Sequence, residues 1–219
     1  MKGVKFGNYH SYNDFALILQ GKTIETPEAK TEYVDISGAD GVLDLTEFFG
    51  DIKYKNRKLT FEFATKLRTQ QFYELFEEVS NALNGKRMNI VLDENDYFYF
   101  VGRLQVNSYK SYEKLGTIVI EADCEPYKYE QIEMAKEYVL TGVETEAVLV
   151  NLKRRVAPTM TISNIVEGSN VEITFENTTY KISSNGTFTL PELILKEGNN
   201  LIKLKGNATI SFKYRRGKL

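Results

Sequence analysis

The chain lacks several things that most chemistry needs. It has no tryptophan, one cysteine, one histidine and four prolines in 219 residues. A single cysteine, Cys124, excludes an intramolecular disulfide and any cysteine-cluster metal site. Its setting, Ile120-Glu121-Ala122-Asp123-Cys124, reads as strand, so Cys124 is expected to be a small buried hydrophobe. A single histidine, His10, excludes a histidine-rich zinc centre. As a catalytic base it would need a nucleophile and an orienting partner, and its polar surroundings supply neither. It reads as a surface or turn histidine. No run of about 18 apolar residues exists, so no helical membrane span is expected. The N-terminus, Met1-Lys2-Gly3-Val4-Lys5-Phe6-Gly7, lacks the apolar core of a signal peptide, which points to synthesis in a cytoplasm.

Charge of one sign is also missing. The net charge is −2, from 28 basic and 30 acidic side chains. That balance gives no general pull toward nucleic acid or an anionic membrane. Nucleotide-binding glycine motifs are absent. Carboxylate pairs for glycoside hydrolysis can lie far apart in a chain, but nothing favours them here. The turn Asp93-Glu94-Asn95-Asp96 lacks the glycine and distal glutamate of a calcium loop and reads as a solvated turn. The expectation is a protein that is not an enzyme and holds no metal or cofactor.

Tyrosine and phenylalanine are abundant, at 14 and 13 residues. Both favour pleated, half-buried surfaces, so the chain leans toward strands. Phe15–Leu19, Glu32–Ile36, Lys58–Ala64, Met88–Leu92, Tyr97–Val101, Gly102–Val106 and Leu115–Ala122 read as strands. Lys58–Ala64 places Leu59, Phe61 and Phe63 on one face. Met88–Leu92 and Tyr97–Val101 pair as a hairpin around the four-residue polar turn. One helix is expected, opening at Thr69, whose hydroxyl can cap the first turn. Phe72, Leu75, Phe76, Val79 and Leu83 then form a single apolar stripe, and Gly85 ends it in a left-handed turn.

Beyond Pro126 the pattern changes. Residues 127–137 are strongly charged and read as a connecting strand or loose linker. A domain boundary falls there, giving domains 1–130 and 131–219. The second half shows short strands separated by turns, at Thr159–Ile165, Val171–Phe175, Thr179–Ile182, Thr187–Leu190, Asn200–Lys205 and Thr209–Tyr214, the mark of an antiparallel sandwich. After Glu197 no acidic side chain follows, while Lys203, Lys205, Lys213, Arg215, Arg216 and Lys218 do. This is either a solvated strand face with a basic tail or a docking patch for an acidic protein, with Tyr214, Arg215 and Arg216 as its candidates.

The order of these features resembles a known family. The loop Ile36-Ser37-Gly38-Ala39-Asp40-Gly41-Val42-Leu43-Asp44 is followed by Arg57-Lys58-Leu59-Thr60-Phe61-Glu62-Phe63, one amphipathic helix, and a hairpin rich in Tyr and Phe. A strand ending Cys124-Glu125-Pro126-Tyr127 closes the series. It is similar to the distal tail proteins of siphophages and related prophage tail components. Their loop commonly reads Gly-x-x-Gly followed by an apolar-Asp pair, matched here by Gly38, Gly41, Leu43 and Asp44. Ser37 stands where the family has a proline or small residue.

The resemblance covers about residues 1–130. It implies a mainly β chain with a barrel-like, ring-forming first domain carrying one packed helix. A galectin- or carbohydrate-module-like sandwich would follow. It further implies a hexameric ring at the virion tail tip, joining the tail tube to the hub or fibre and docking receptor-binding proteins. For the subunit interface the candidates are Gly38, Asp40, Gly41 and Leu43 in the loop and Ile90, Leu92, Tyr97 and Tyr99 in the hairpin. Packing within one chain is the plainer reading of both. An alternative role is a carbohydrate-binding module in 131–219, which would need an exposed ring such as Tyr180 or Tyr214.

Overall fold

The computed structural model describes residues 2–48, 50–67, 69–112 and 115–219, with backbone alone at 69, 108, 111 and 112. Two compact units emerge, Met1–Lys128 with Leu219, and Tyr129–Lys218.

The first unit contains β1 (Val4–Phe6), β2 (Tyr9–His10), β3 (Ile18–Ile24), β4 (Tyr33–Asp35), β5 (Val42–Asp44), β6 (Arg57–Thr65), α1 (Thr69–Leu83), β7 (Arg87–Leu92), β8 (Asn95–Tyr112) and β9 (Leu115–Cys124). Its main sheet runs β2-β1-β7-β8-β9-β6-β3. The two edges of this sheet are drawn together, as the barrel-like expectation requires. The Leu17 amide donates to the Ser11 carbonyl at 2.8 Å, and Lys22 on β3 pairs with Glu94 in the β7–β8 turn.

Alternation builds the core. Leu59, Phe61 and Phe63 all point inward from β6, as their spacing predicts, and Phe6 meets Phe61 edge-on at 5.6 Å. Each such ring contributes about 1.5–3 kcal/mol by leaving water. Helix α1 lies on β8 and β9. Phe72, Leu75, Val79 and Leu83 are buried, and Phe76 packs against them from a half-buried position. Gly85 adopts φ +73°, the left-handed stop expected after the helix. The expected Thr69 cap concerns a side chain outside the described residues. Cys124 is buried, and burial pushes its thiol up to about 12, with Asp123 adding to the effect.

Three local expectations are corrected. The strand expected at Phe15–Leu19 is β3 and starts only at Ile18, because Ala16 turns the chain at φ +53°, although Phe15 and Leu17 are buried. The β7–β8 turn is tighter than four residues. Leu92 faces Asn95, leaving only Asp93 and Glu94 in the turn, with a register shift between Val91 and Leu92. Gly102–Val106 is not a separate strand but the continuation of β8.

In the chain's next stretch come β10 (Lys128–Glu130), β11 (Met134–Thr141), β12 (Thr145–Asn151), β13 (Thr159–Ser163), β14 (Val171–Phe175), β15 (Thr178–Ile182), β16 (Gly186–Thr189), β17 (Gly198–Lys205), β18 (Asn207–Tyr214) and β19 (Gly217–Lys218). The second unit is a sandwich of two four-stranded sheets, β11-β18-β13-β16 and β12-β17-β14-β15. Met160, Ile162, Ile210 and Phe212 from one sheet meet Leu149, Ile173, Ile202 and Leu204 from the other in a shared core. The segment expected to be a connecting strand or linker yields β10 and the start of β11, and β12 has no counterpart among the expected strands.

Candidate functional site

Strands β4 and β5 stand apart from the main sheet as a ribbon of their own. Val34 faces Leu43, and Tyr33 faces Asp44. The connecting loop turns on Gly38 at φ +86° and Gly41 at φ +78°, left-handed values that glycine adopts without strain. Asp44 braces the exit: hydrogen bonds from the Thr46 side chain and amide hold its carboxyl below the usual value. Outside the ribbon, the flanking segments are joined by Lys30 N–H to Lys53 O at 2.7 Å and Lys55 N–H to Glu28 O at 2.8 Å.

Every residue of β4 and β5 is exposed on both faces. Tyr33 is 57% and Val42 60% exposed, and Ile36, Leu43 and Phe48 stand out as well. An isolated two-stranded ribbon is marginal in water, and this one carries a cluster of exposed large apolar side chains. Of the loop candidates, Gly38 and Gly41 shape the tip, Asp40 lies exposed between them, and Leu43 belongs to the apolar set. Sequence reasoning missed Tyr33, Ile36 and Val42. The available signal was apolar strand residues with no second apolar segment nearby to cover them.

The hairpin candidates divide. Ile90 and Leu92 are buried in the core of the first unit, because β7 alternates: Ile90 pairs with Phe6 and Phe100, and Leu92 pairs with Val4 and Asn95. Their side chains cannot meet a neighbour, and that expectation is corrected. Tyr97 is 75% exposed, and Tyr99 lies on the outer face opposite Val91. The acidic turn is engaged within the chain. Asp93 Oδ2 accepts from Gly3 N–H at 2.6 Å and sits 3.1 Å from His10 Nε2, while Glu94 pairs with Lys22. Burial works against the Asp93 charge, but the bonds from Gly3 and His10 outweigh it and hold its carboxyl below the ordinary value.

The C-terminal candidates are corrected too. Tyr214 is only 3% exposed, and its hydroxyl donates to the Val150 carbonyl at 2.9 Å. Burial pushes its phenol above the ordinary value. Arg216 grips Glu130 through two hydrogen bonds of 2.7 and 2.8 Å. Arg215 donates to the Glu130 and Gln131 carbonyls and pairs with Glu133 at 3.4 Å. These side chains fasten the chain's end to residues 130–133 and do not form a free basic patch.

Tyr214 has a second consequence. With Lys136, whose Nζ donates to the Val148 carbonyl at 2.8 Å, it occupies backbone acceptors of the edge strand β12. An edge whose acceptors are taken by side chains from the other sheet is protected against pairing with another strand. The sugar-binding alternative asked for a free Tyr180 or Tyr214 ring. Tyr214 is buried, and Tyr180 is half-buried with its hydroxyl on Glu192 at 2.8 Å. Among the described residues, the second unit exposes no large aromatic ring.

No family model and no curated protein matches the chain. Its mainly β fold, with one helix among the described residues of the first unit and a sandwich as the second, matches that of a phage Dit protein. One solved structure it is similar to is the SPP1 Dit (gp 19.1) protein, described as a paradigm of the hub adsorption apparatus in Gram-positive infecting phages. The likeness has a TM-score of 0.74 and spans 98% of this chain and 99% of that one, at 14% sequence identity.

Proposed function

We propose that the chain is a structural component of a phage or prophage tail tip. In this reading copies close into a hexameric ring that joins the tail tube to the hub or fibre and carries receptor-binding proteins. The protein is made in the host cytoplasm and ends in the virion. It makes and breaks no bonds. The observation that carries the reading is the end-to-end likeness to the SPP1 Dit fold, which includes both units. The exposed apolar ribbon of β4 and β5 supports it, since a single head-to-tail contact closes a ring when its rotation is right. The interface then comprises the ribbon, with Leu43 and Val42 at its centre and Gly38, Asp40 and Gly41 at its tip, and the outward hairpin residues Tyr97 and Tyr99.

The ribbon supplies the test. Burying a Val or Leu side chain is worth about 1.5–3 kcal/mol, and an unpaired carboxylate in the same place costs more. Leu43→Asp and Val42→Asp should therefore each weaken association at least about tenfold, while an exposed substitution changes monomer stability by only about 0.5 kcal/mol. Sedimentation of the wild-type chain should give a species near six times 25.1 kDa that both variants dissociate. Unchanged assembly in both variants would remove the ribbon from the interface, and a monomer at every concentration would remove self-sufficient ring formation.

A further inference from the structure

The chain's only histidine is tied on both sides of its ring. His10 Nε2 lies 3.1 and 3.2 Å from the two Asp93 oxygens. On the other side, Nδ1 receives the backbone amides of Tyr12 and Asn13, each at 3.2 Å. An N–H donates, so Nδ1 must carry a lone pair and the proton of the neutral ring sits on Nε2. The turn that follows depends on this. His10 N–H donates to Asp14 Oδ2 at 2.6 Å, Asp14 N–H returns to the His10 carbonyl at 3.0 Å, and Leu17 N–H reaches Ser11 O. The ring is also wedged against Gly3, just ahead of β1. A Cβ on Gly3 would lie 2.6 Å from its Cε1, so no larger residue fits there unless the ring moves.

We propose that His10 is a protonation-sensitive latch. In its neutral Nε2–H form it closes the turn at residues 10–14 onto the Asp93 turn, and on protonation it releases that turn. The charged groups around it pull in opposite directions. Asp93 favours the imidazolium, and so does Asp14 through its place in the same turn. Lys5, directly across the β1–β2 ladder, opposes it. The Glu94–Lys22 pair beside Asp93 is internally balanced. None of these changes the local fact at Nδ1. A protonated Nδ1 becomes a donor facing two donors, so both amides lose their acceptor at once. The segment released leads straight into edge strand β3, next to the place where the two sheet edges meet.

The experiment is NMR on the uniformly labelled full chain. The His10 ring nitrogens report the tautomer and the protonation state in the same sample. The protection factors of the Tyr12 and Asn13 amides are measured on either side of the ring's own titration. Below it, their protection should fall by roughly tenfold, the effect of losing one good hydrogen bond, while that of Ile90 and Phe61 amides stays unchanged. His10→Asn keeps an acceptor at the Nδ1 position but cannot take a proton, so protection should no longer follow pH. His10→Gln keeps only the reach to Asp93 and should leave both amides unprotected throughout. A neutral ring protonated on Nδ1, or protection that ignores ring protonation in the wild-type chain, would overturn the latch.

Discussion

Helix α1 is seated on β9 through one position where nothing but glycine fits, and this can be measured. A Cβ on Gly116 would lie 2.1 Å from Phe72 Cδ2 and 2.2 Å from Cε2. Phe72 is fully buried and packs against Tyr109 at 5.5 Å, so its ring has no free space to turn into. Overpacking of a filled core costs about 1–3 kcal/mol. A clash of two ring carbons near 2 Å belongs at the top of that range, roughly 3 kcal/mol. The usual gain from replacing a strand glycine by alanine, about 0.5–1 kcal/mol, does not offset it. Gly116→Ala should therefore lower the melting temperature by roughly 10 °C.

Phe72→Leu removes the ring face that clashes, at a cost of its own. The double variant should then be more stable than the sum of the two single effects by at least about 1 kcal/mol. With no tryptophan in the chain, urea unfolding is best followed by circular dichroism. Gly116→Ala at wild-type stability, or strictly additive single effects, would refute this packing of α1.

Other consequences follow from the same structure. Cys124 is buried with its thiol pushed up to about 12. A thiol reagent at neutral pH should leave it untouched in the native chain and modify it fully in denaturant; fast native labelling would contradict its place in the core. Asp93 has a lowered carboxyl value, so its contribution is present above the ordinary carboxylate range and fades as pH falls through the lower folded-state value. Asp93→Asn should accordingly lower the melting temperature at pH 7 and make less difference near pH 2; an equal deficit at both would sink the argument. Lys136→Met and Tyr214→Phe together free two carbonyls of the β12 edge. This pair should raise the tendency to aggregate, read by light scattering on heating, and no change would mean the edge is covered in another way.

Much of the first unit could be read from residue spacing because its elements obey one period each. Helix α1 shows a stripe at spacings of three and four, and β6 alternates from Arg57 to Phe63. The second unit hid β11 and β12 for a physical reason. Lys136 on β11 is half-buried because its ammonium reaches a β12 carbonyl, so a charged residue stands on the inward side of a strand and breaks the alternation. On β12, Val148 and Val150 face outward while Ala147 and Leu149 face inward, so the run is apolar on both sides and shows no period.

Of the candidate site, the glycines and Leu43 of the ribbon were legible from the loop pattern. Ile90 and Leu92 were not, because an alternating strand looks the same whichever face the fold buries. Tyr214, Arg215 and Arg216 looked like a patch because their partners, Val150 and residues 130–133, lie far off in sequence.

In the proposed function, copies of this chain meet around an opening. Electron micrographs of the purified wild-type chain test it most directly. Closed particles of six units with a hole at the centre are expected, and they should disappear in Leu43→Asp. Single compact particles with no ring at any concentration, from a chain whose circular dichroism shows it folded, would contradict it.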